Sequence, residues 1–586
     1  MKSLILSIAF SAILFFPPGL ATNDSGSGSG RYSRCRCLPA DSCWPKPSEW
    51  ASFNASVSGS LIAVKPVASP CHDPAFDQAA CEDAKANYTL SVWRGSFPGG
   101  YQQVNFETSA VTNETCYIDT PRSSPCGQGN VPVYAVAATS PTQIQNAVGF
   151  ARDKNLRLVI KNSGHDYLGR SAGRGSLQIW THNMNNIEFS GNFTPEGCKW
   201  KKSEEAVTIG AGVQLKLLYS ALKDKGKTAV IGLANTVGAA GGYIQGGGHS
   251  PLGPWKGMAS DNAYQFTIVT ADGKHVTANE CQNSDLFWAL RGGGGGTFGV
   301  VTSATIRTFP DSTAIVSNFN ATIPDRDQFY SFIADFHGFL PKLSDAGGSG
   351  YYYIFYETNS IIVGAFFVGQ SNPNATEALF APLLQKARGY PNSQVDWTQL
   401  PSFPISVGID MSLTGTDVTA SNSLLSSRLI SRKFLESADG PKKLCDVFKT
   451  LGPNQNTVFI GHIVAGGQVA RNECLDSAIN PSWRKALIHL VFARGWETST
   501  PFQEQAIIAR NMTDVETPIL AALEPDMGAY MNEADLNERR WQEVFWGEEI
   551  YDRLLSIKAK WDAEELFMCK PCVGSENWDA ESICRK

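Results

Sequence analysis

The fold of this chain is decided by the stretch LRLVIKNSGHD, residues 156–166. Residues 156–160 are mostly apolar and predict a buried strand, and a polar turn that contains Gly164 follows directly. Consecutive backbone N–H groups in such a turn can bind a phosphate without a charged side chain. His165 emerges from the turn, so its imidazole can face the same ligand. The stretch therefore predicts a strand that leads into a phosphate-binding turn.

Strand and helix patterns alternate around this stretch. Residues 133–137 predict another strand, and Pro141 begins a predicted helix through Ala151, because a proline in the first turn of a helix loses no hydrogen bond. Further strands are predicted over residues 207–210, 265–270 and 299–309, with a helix over residues 215–223. Residues 351–355 and 361–367 predict aromatic strands of another sheet, with helices on one side. The alternation predicts mixed α and β structure.

Glycine-rich segments recur at residues 235–242 (NTVGAAGG), 246–250 (GGGHS) and 291–296 (RGGGGG). Glycine in regular structure costs about 0.5–1 kcal/mol, so these clusters indicate backbone packed against a large flat or phosphorylated ligand. Flexible loops are the alternative. There is no G-x-G-x-x-G between a strand and a helix with an acid about twenty residues on, and no Walker lysine. The residues alone predict a phosphate-bearing ligand held by glycine turns.

The order of these segments resembles the FAD-binding domain of the vanillyl-alcohol-oxidase superfamily. The resemblance also includes DNAYQFTIVTADGKHV at residues 261–276 and DLFWALRGGGGGTFGVVTSATIRTF at residues 285–309. Residues 529–567 are similar to the C-terminal segment of the berberine-bridge-enzyme branch. The whole pattern, with its cysteine-rich ends, is most similar to secreted fungal oxidases of the isoamyl-alcohol-oxidase type.

The resemblance implies an α+β fold. A PCMH-type FAD-binding lobe of two subdomains is expected, with a substrate lobe in which helices cover an antiparallel sheet. The expected boundaries are 1–21 for a signal peptide, 22–126 for a cysteine-rich extension, 127–311 for the FAD-binding domain, 312–525 for the substrate-binding domain and 526–586 for a C-terminal segment that returns to the FAD lobe.

The resemblance also implies a set of cofactor residues. In this family the histidine of the Gly-His pair is bonded to the flavin 8α-methyl group, which implies a covalent FAD link at His165. The turn before it would hold the pyrophosphate, and residues 236–240 would line the flavin. The implied cofactor-binding residues are Asn162, Ser163, Gly164, His165, Asp166, Thr236, Val237, Gly238, Ala239, Ala240, Gly242, His249, Asn262 and Val301.

Three more positions bear on the chemistry that the resemblance implies. Many relatives have a second tether from a cysteine where this chain has Ala234, so a single covalent bond and a more closed site are expected. Val237 stands at the family's oxygen-gating position, where valine goes with oxidases. Tyr530 of the Tyr-x-Asn at 530–532 is the implied base, although a free tyrosine pKa near 10 requires activation, and a core aromatic is the alternative. The tail departs from the family pattern at Glu548-Glu549, where many members have Gly-x-Asn.

The cysteines are expected to form disulfides. The fourteen cysteines are even in number, and Cys71–Cys81, Cys116–Cys126 and Cys198–Cys281 are the expected pairs, although sequence alone does not fix connectivity. The spacing of Cys569 and Cys572 favours a disulfide over a metal site. With no H-E-x-x-H motif, and with His165, His249 and His275 in no ligand pattern, the sequence predicts no metal.

Export is expected from the N-terminus. Lys2, the apolar run at residues 4–16 and small residues at 19–21 form a signal-peptide pattern, and eight Asn-x-Ser/Thr sequons follow. The net charge of −6 argues against a nucleic-acid partner, and no later run is long enough for a membrane span. Nothing in the residues specifies an oligomeric state.

We therefore expect a secreted FAD-dependent oxidase that uses O2 to oxidise a small alcohol-type substrate and releases H2O2. Oxidative ring closure or desaturation of a secondary metabolite by the same flavin is an alternative. A non-catalytic carbohydrate-binding or inhibitory relative is another, against which His165 and the glycine turns argue.

Overall fold

The computed structural model describes residues 34–199, 202–412, 417 and 419–586. The expected signal peptide at residues 1–21 and the glycine- and serine-rich segment at residues 22–31 lie outside this range. Among the described residues, no helix has both the length and the apolar character that a membrane span requires.

The N-terminal region is more ordered than its weak periodicity indicated. It forms α1 (Pro47–Ser56), β1 (Leu61–Ala63), α2 (Gln78–Asn87) and α3 (Ser91–Gly95). β1 pairs antiparallel with the first strand of the next region. The expected extension is therefore part of the first sheet.

The first lobe opens with the predicted strand–helix–strand unit. Its elements are β2 (Tyr134–Ala137), α4 (Pro141–Asp153), β3 (Leu158–Lys161) and β4 (Leu177–Trp180). The sheet has the order β1-β2-β4-β3, and β2, β4 and β3 run parallel. β3 ends at Lys161, so the predicted turn at residues 162–166 leaves the carboxyl edge of this sheet.

The second half of the first lobe is a five-stranded antiparallel sheet of order β5-β6-β10-β8-β9, with a separate pair β11-β7. The elements are β5 (Ile187–Phe193), β6 (Glu204–Gly210), α5 (Leu215–Asp224), β7 (Lys227–Thr228), α6 (Gly253–Lys256), β8 (Ala263–Val269), β9 (His275–Asn279), α7 (Ser284–Ala289), β10 (Val300–Arg307) and β11 (Phe309–Pro310). The single strand predicted over 299–309 is thus divided, because Phe309 pairs with Thr228 instead of continuing beside β8.

The second lobe is a seven-stranded antiparallel sheet of order β15-β12-β14-β13-β17-β18-β16. Its elements are β12 (Thr313–Thr322), α8 (Arg326–Asp345), β13 (Gly348–Phe355), β14 (Ser360–Val368), α9 (Pro373–Arg388), β15 (Gln394–Pro404), α10 (Ile405–Ser412), β16 (Asn422–Ser431), α11 (Arg432–Glu436), α12 (Gly440–Leu451), β17 (Val458–Ile463), α13 (Gly467–Arg471), β18 (Ala486–Trp496), α14 (Phe502–Asn511) and α15 (Thr517–Ala521).

The two faces of this sheet have different partners. Tyr352 and Ile354 of β13 are fully buried in a core shared with α8, α9 and α12. Tyr351 and Tyr353 alternate with them and line a cavity on the opposite face. This follows from the two-residue period of a strand, and it confirms the prediction of a sheet with helices on one side.

The C-terminal tail packs onto the first lobe. It forms α16 (Trp541–Trp546) and α17 (Glu548–Trp561). Trp546 and Leu554 belong to the same apolar core as Phe266 of β8. The indole N–H of Trp546 donates to Gly292 O at 2.9 Å. The tail therefore contributes to the folding of the first lobe.

All four expected disulfides are present, namely Cys71–Cys81, Cys116–Cys126, Cys198–Cys281 and Cys569–Cys572. Two more were not anticipated, Cys37–Cys43 and Cys35–Cys584. The latter joins the two ends of the described chain, a pairing that no local spacing in the sequence indicates. Cys445 and Cys474 are free.

Candidate active site

A cavity of about 730 Å³ extends from the turn after β3 to the face of the seven-stranded sheet. Small-molecule and cofactor sites have volumes of about 300–1,000 Å³. Its two ends differ in construction. We call the end formed by residues 162–166, 237–242 and 295–296 the glycine side, and the end formed by Tyr351, His462, Tyr530 and their neighbours the sheet side.

The glycine side is built mainly from backbone. Gly164 has φ of +83°, a conformation that favours glycine, and it turns the chain directly before His165. A side chain on Gly242 would meet only Arg170, at 3.6 Å from its Cβ, and one on Gly296 only Ile160, at 3.9 Å. These glycines therefore leave open space where other residues would fill the cavity.

His165 lines the glycine side with its ring close to Thr236. Its Nε2 lies at hydrogen-bonding distance from Thr236 Oγ1. Burial lowers the pKa of His165 to about 4, so the imidazole is neutral near pH 7. A neutral imidazole carries the nitrogen lone pair that a covalent bond to a ligand requires.

A hydrogen-bond chain joins the turn to the C-terminal tail. The Arg170 guanidinium donates to Asp166 Oδ1 and to Asn532 Oδ1, each at 3.0 Å. Asn532 Nδ2 in turn donates to Gly242 O at 2.9 Å and to Tyr530 Oη at 2.8 Å. The Tyr-x-Asn motif of the tail is thus positioned by the phosphate-turn motif, although the two are more than 360 residues apart in sequence.

Tyr530 lies on the sheet side, buried to 3% exposure, with its hydroxyl group held by a donor. The Asn532 amide donates to it at 2.8 Å. Burial, reinforced by the Glu533 charge, raises the pKa of Tyr530 above its ordinary value. The hydrogen bond from Asn532 opposes this shift, and it favours the phenolate whenever it forms.

A second group of polar residues lies beside Tyr530. His249, His462, His489 and Glu533, which we call the histidine cluster, have donor atoms that all lie within 4.8 Å of one another. Glu533 is at the centre: its carboxylate is 3.2 Å from His249 Nε2, 2.9 Å from His489 Nε2 and 3.7 Å from His462 Nδ1.

The sheet and two loops assemble this cluster. His462 of β17 and His489 of β18 are directly opposed in the antiparallel register, and Tyr351 of β13 is the next residue in the same row. His249 follows Gly248, whose φ of +71° and close contact with Ala259 require glycine. Glu533 ends the short helix that begins at Met531.

The protonation of the cluster follows from its burial. Burial lowers the pKa of His489, and lowers that of His462 well below the ordinary value. Burial by itself raises the pKa of Glu533. The charge and hydrogen bond of His249 and the hydrogen bond of His489 act in the opposite direction and are stronger together, so the pKa of Glu533 lies well below its ordinary value. The cluster therefore contains an ionised carboxylate beside the neutral imidazoles of His462 and His489.

The structure brings most of the sequence-implied residues to the cavity. The residues that line it are Asn162, Ser163, Gly164, His165, Asp166, Val237, Gly238, Ala240, Gly242, His249, Val301 and Tyr530. Thr236 contacts His165 from behind this lining. Ala239 is buried in the core of the first lobe, and Asn262 donates to Lys256 O and Met258 O, so neither reaches the cavity.

Sequence reasoning missed His462, His489 and Glu533, and it grouped His249 with the cofactor residues. No sequence spacing indicates the cluster, because its members come from two strands, a loop and the tail. The one sequence signal is the alternation of side chains along β17 and β18. It places His462 and His489 on the face of the sheet opposite the helices. Of the three histidines considered together from the sequence as possible metal ligands, His165, His249 and His275, only His249 belongs to the cluster. His275 lies on β9 beside Thr302.

Comparison with known proteins agrees with this geometry. Residues 132–279 match the model of an FAD-binding domain, and residues 529–573 match that of the berberine and berberine-like segment. An uncharacterised FAD-linked oxidoreductase of Arthroderma benhamiae is 49% identical over 567 residues, which cover 94% of this chain and 96% of that protein. The FAD-linked oxidoreductase notD of an Aspergillus species is 38% identical, with 97% and 92% covered.

A solved structure has the same fold. The VAO-type flavoprotein MtVAO615 of Myceliophthora thermophila C1 superposes with a TM-score of 0.84 at 32% identity, covering 94% of this chain and all of that one. The two-subdomain PCMH-type lobe and the sheet-containing lobe expected from the sequence are therefore confirmed. With this fold, these two matched segments and relatives of this identity, the chain belongs to the FAD-linked oxidoreductases of the vanillyl-alcohol-oxidase and berberine-bridge-enzyme superfamily.

Proposed function

We propose that this protein is a secreted oxidase that takes a hydride from an alcohol-type substrate and reduces O2 to H2O2, with FAD bonded covalently to His165 alone. The observation that carries the proposal is a single cavity that is lined both by His165 among backbone turns and by Tyr530. FAD, when bound, accepts the hydride and passes the electrons to oxygen.

The residues of the glycine side fit FAD. The turn at residues 162–166 supplies backbone N–H groups for a pyrophosphate. Among described residues, Asn162 Oδ1, Arg170 Nη1 and Gln245 Oε1 are buried at this cavity without a hydrogen-bond partner. Buried polar atoms are rarely left unpaired, so these three are available to a polar ligand.

A single tether is proposed because the described lining of the cavity has no free thiol. Ala234 lines the cavity where many relatives have cysteine. Cys569 is the one cysteine in the described lining, and it is bonded to Cys572. The bond is therefore assigned to the neutral imidazole of His165 alone.

On the sheet side we assign Tyr530 to proton removal. As the phenolate, Tyr530 takes the proton of the substrate hydroxyl and becomes the neutral phenol while the hydride leaves the substrate carbon, and the Asn532 amide stabilises the phenolate before the transfer. Such assistance typically accelerates a reaction by about 10²–10⁴-fold. Tyr351 and Tyr353 of β13 line the same cavity.

Secretion is proposed on two structural features besides the N-terminal pattern. Six disulfides are typical of an oxidising compartment. Five sequon asparagines are exposed, as glycosylation requires: Asn113, Asn192, Asn320, Asn374 and Asn511. N-terminal sequencing and enzymatic deglycosylation of the protein from culture medium test this part.

The oxidase proposal is tested by an oxygen-consumption screen with purified protein. Alcohols, phenols, sugars and polyketide-like compounds are supplied in air, with H2O2 measured in parallel. We expect at least one alcohol to consume O2 and yield an equal amount of H2O2 and a carbonyl product. A cyclised or desaturated product would support the ring-closure alternative, and a colourless protein without flavin would support the non-catalytic one.

A further inference from the structure

The histidine cluster has the composition of a metal site. Three imidazoles and one carboxylate, from four separate chain segments, place their donor atoms within 4.8 Å of one another. We propose that His249, His462, His489 and Glu533 bind a divalent transition-metal ion, for which Zn²⁺ is the best fit, in the wall of the cavity. The second group with suitable residue types, at Cys37, Asp41 and Cys43, is excluded because its cysteines form a disulfide.

The distances fit a tetrahedral ion. Zinc binds histidine nitrogen at about 2.0–2.1 Å and carboxylate oxygen at about 2.0–2.2 Å, which places two ligands of a tetrahedral site about 3.4 Å apart. Glu533 Oε2 is 2.9 Å from His489 Nε2 and 3.7 Å from His462 Nδ1, and the other carboxylate oxygen, Oε1, is 3.2 Å from His249 Nε2, so all three distances lie around this value. Adjustment falls to His249 and Glu533, which are on a loop and a short helix.

The sheet supplies a rigid half of the site. His462 and His489 are directly opposed on neighbouring strands, and their ring centroids are 5.0 Å apart. The Trp483 ring packs against His489 at 5.8 Å, and the Tyr351 ring against His462 at 5.2 Å. Ligands on strands whose rings are fixed by packing give the precise geometry that a metal site needs.

Three buried nitrogens of the cluster, the Nδ1 atoms of His249, His462 and His489, have no hydrogen-bond partner among the described residues, and the one of these that faces Glu533 is that of His462. His462 Nδ1 is buried, it has no hydrogen-bond partner among the described residues, and its 3.7 Å separation from Glu533 is too long for a hydrogen bond. A metal ion between the imidazole and the carboxylate would give this nitrogen a bond. The alternative is a metal-free cluster in which Glu533 accepts hydrogen bonds from His249 and His489, and it leaves His462 Nδ1 unpaired.

The site faces the substrate space. His249, His462 and Glu533 line the cavity, as does Tyr530, whose ring centroid is 5.3 Å from that of His249. The four side chains complete a tetrahedral shell, so an oxygen ligand from the cavity would enter as a fifth ligand on the ion. If the proposed oxidase function holds, that ligand is the substrate hydroxyl, whose proton a bound Lewis acid makes easier to remove.

The test measures metal binding without any turnover. The full-length flavoprotein is treated with a chelator, dialysed and titrated with Zn²⁺ alone. Bound zinc is counted by mass spectrometry, and affinity is obtained by competition with a chromophoric chelator. We expect one zinc ion per chain, and a rise in thermal stability on addition of Zn²⁺, since an ion bound only by the folded state stabilises it.

Two variants probe different parts of the site. Glu533→Gln and His462→Gln should each weaken zinc binding by more than about 100-fold, since loss even of an outer partner typically costs 10–100-fold. His275→Gln is the matched control, because His275 lies on β9 outside the cluster, and it should bind zinc like the wild type. Glu533→Gln lies on the tail rather than in the sheet, so it remains informative if His462→Gln fails to fold.

Two results would overturn the proposal: wild-type protein that takes up no stoichiometric zinc, or Glu533→Gln protein that binds zinc as tightly as the wild type. Failure of the oxidase proposal is separately visible. In that case zinc binds as expected, while no substrate in the oxygen screen reduces the flavin.

Discussion

The glycine side and the sheet side of the cavity are built by opposite means. The glycine side consists of contiguous segments, 162–166 and 237–242, whose backbone does the binding. The sheet side consists of single side chains, such as Tyr351, His462 and Tyr530, from segments far apart in sequence. A backbone site leaves a readable run of glycines, whereas a side-chain site assembled across strands leaves isolated residues. The variants below test whether the two sides also differ in role.

The largest effect is expected for His165→Ala on the glycine side. Because the imidazole nitrogen is the proposed attachment point, the variant should lose all covalently bound flavin. The measurement is flavin fluorescence of the protein band after acid denaturation and gel electrophoresis. His275→Ala, which changes a histidine away from the cavity, should keep its fluorescence. Fluorescence in His165→Ala, or free flavin released from the wild type, would refute the tether.

Tyr530→Phe should give the next largest effect, and on the sheet side alone. Loss of the phenolic oxygen that accepts the substrate proton should slow flavin reduction by about 10²–10⁴-fold. Flavin content should not change. Stopped-flow absorbance without oxygen measures the reduction. Tyr353→Phe is the control, since Tyr353 lines the same cavity from β13. Equal reduction rates in wild type and Tyr530→Phe would return Tyr530 to a packing role.

A bulky side chain on the glycine side should displace the cofactor without disturbing the protein. At Gly242 an added Cβ would have only Arg170 within 4 Å, so the side chain of Gly242→Leu enters the cavity. We expect a several-fold lower ratio of flavin to protein absorbance. Gly149→Leu is the control, because position 149 lies on α4 with nothing within 4 Å of an added Cβ. Full flavin content in Gly242→Leu would mean that the flavin does not occupy this space.

The smallest effect is expected for Val237→Leu. Val237 lines the glycine side, and valine, branched at Cβ, ends closer to the backbone than leucine. If oxygen reaches the flavin past this residue, leucine should slow reoxidation of the reduced enzyme and leave its reduction unchanged. The reoxidation rate is measured by mixing reduced wild-type protein, and separately reduced Val237→Leu protein, with air-saturated buffer. Slow reoxidation of the wild type, with rapid turnover on an artificial acceptor, would contradict the oxidase proposal.

Much of the first lobe was predictable because its signals are local. The strand before Lys161, the helix from Pro141 and the turn at Gly164 follow from apolar runs, a proline and a glycine within a few residues of each other. The expected disulfides with separations of 3 and 10 residues are of the same kind. The Cys35–Cys584 disulfide, with a separation of 549, had no such signal.

By itself, then, the sequence determined the elements of the first lobe, the glycine turns and the position of His165, because backbone conformation depends on neighbouring residues. Only the tertiary structure decided that Tyr530 reaches the cavity through Asn532 and Arg170, and that His249 lies with His462, His489 and Glu533. Strand register sets which side chains meet, and register is fixed by the packing of a whole sheet. The cluster therefore exists only once β17, β18, the loop before α6 and the tail have come together.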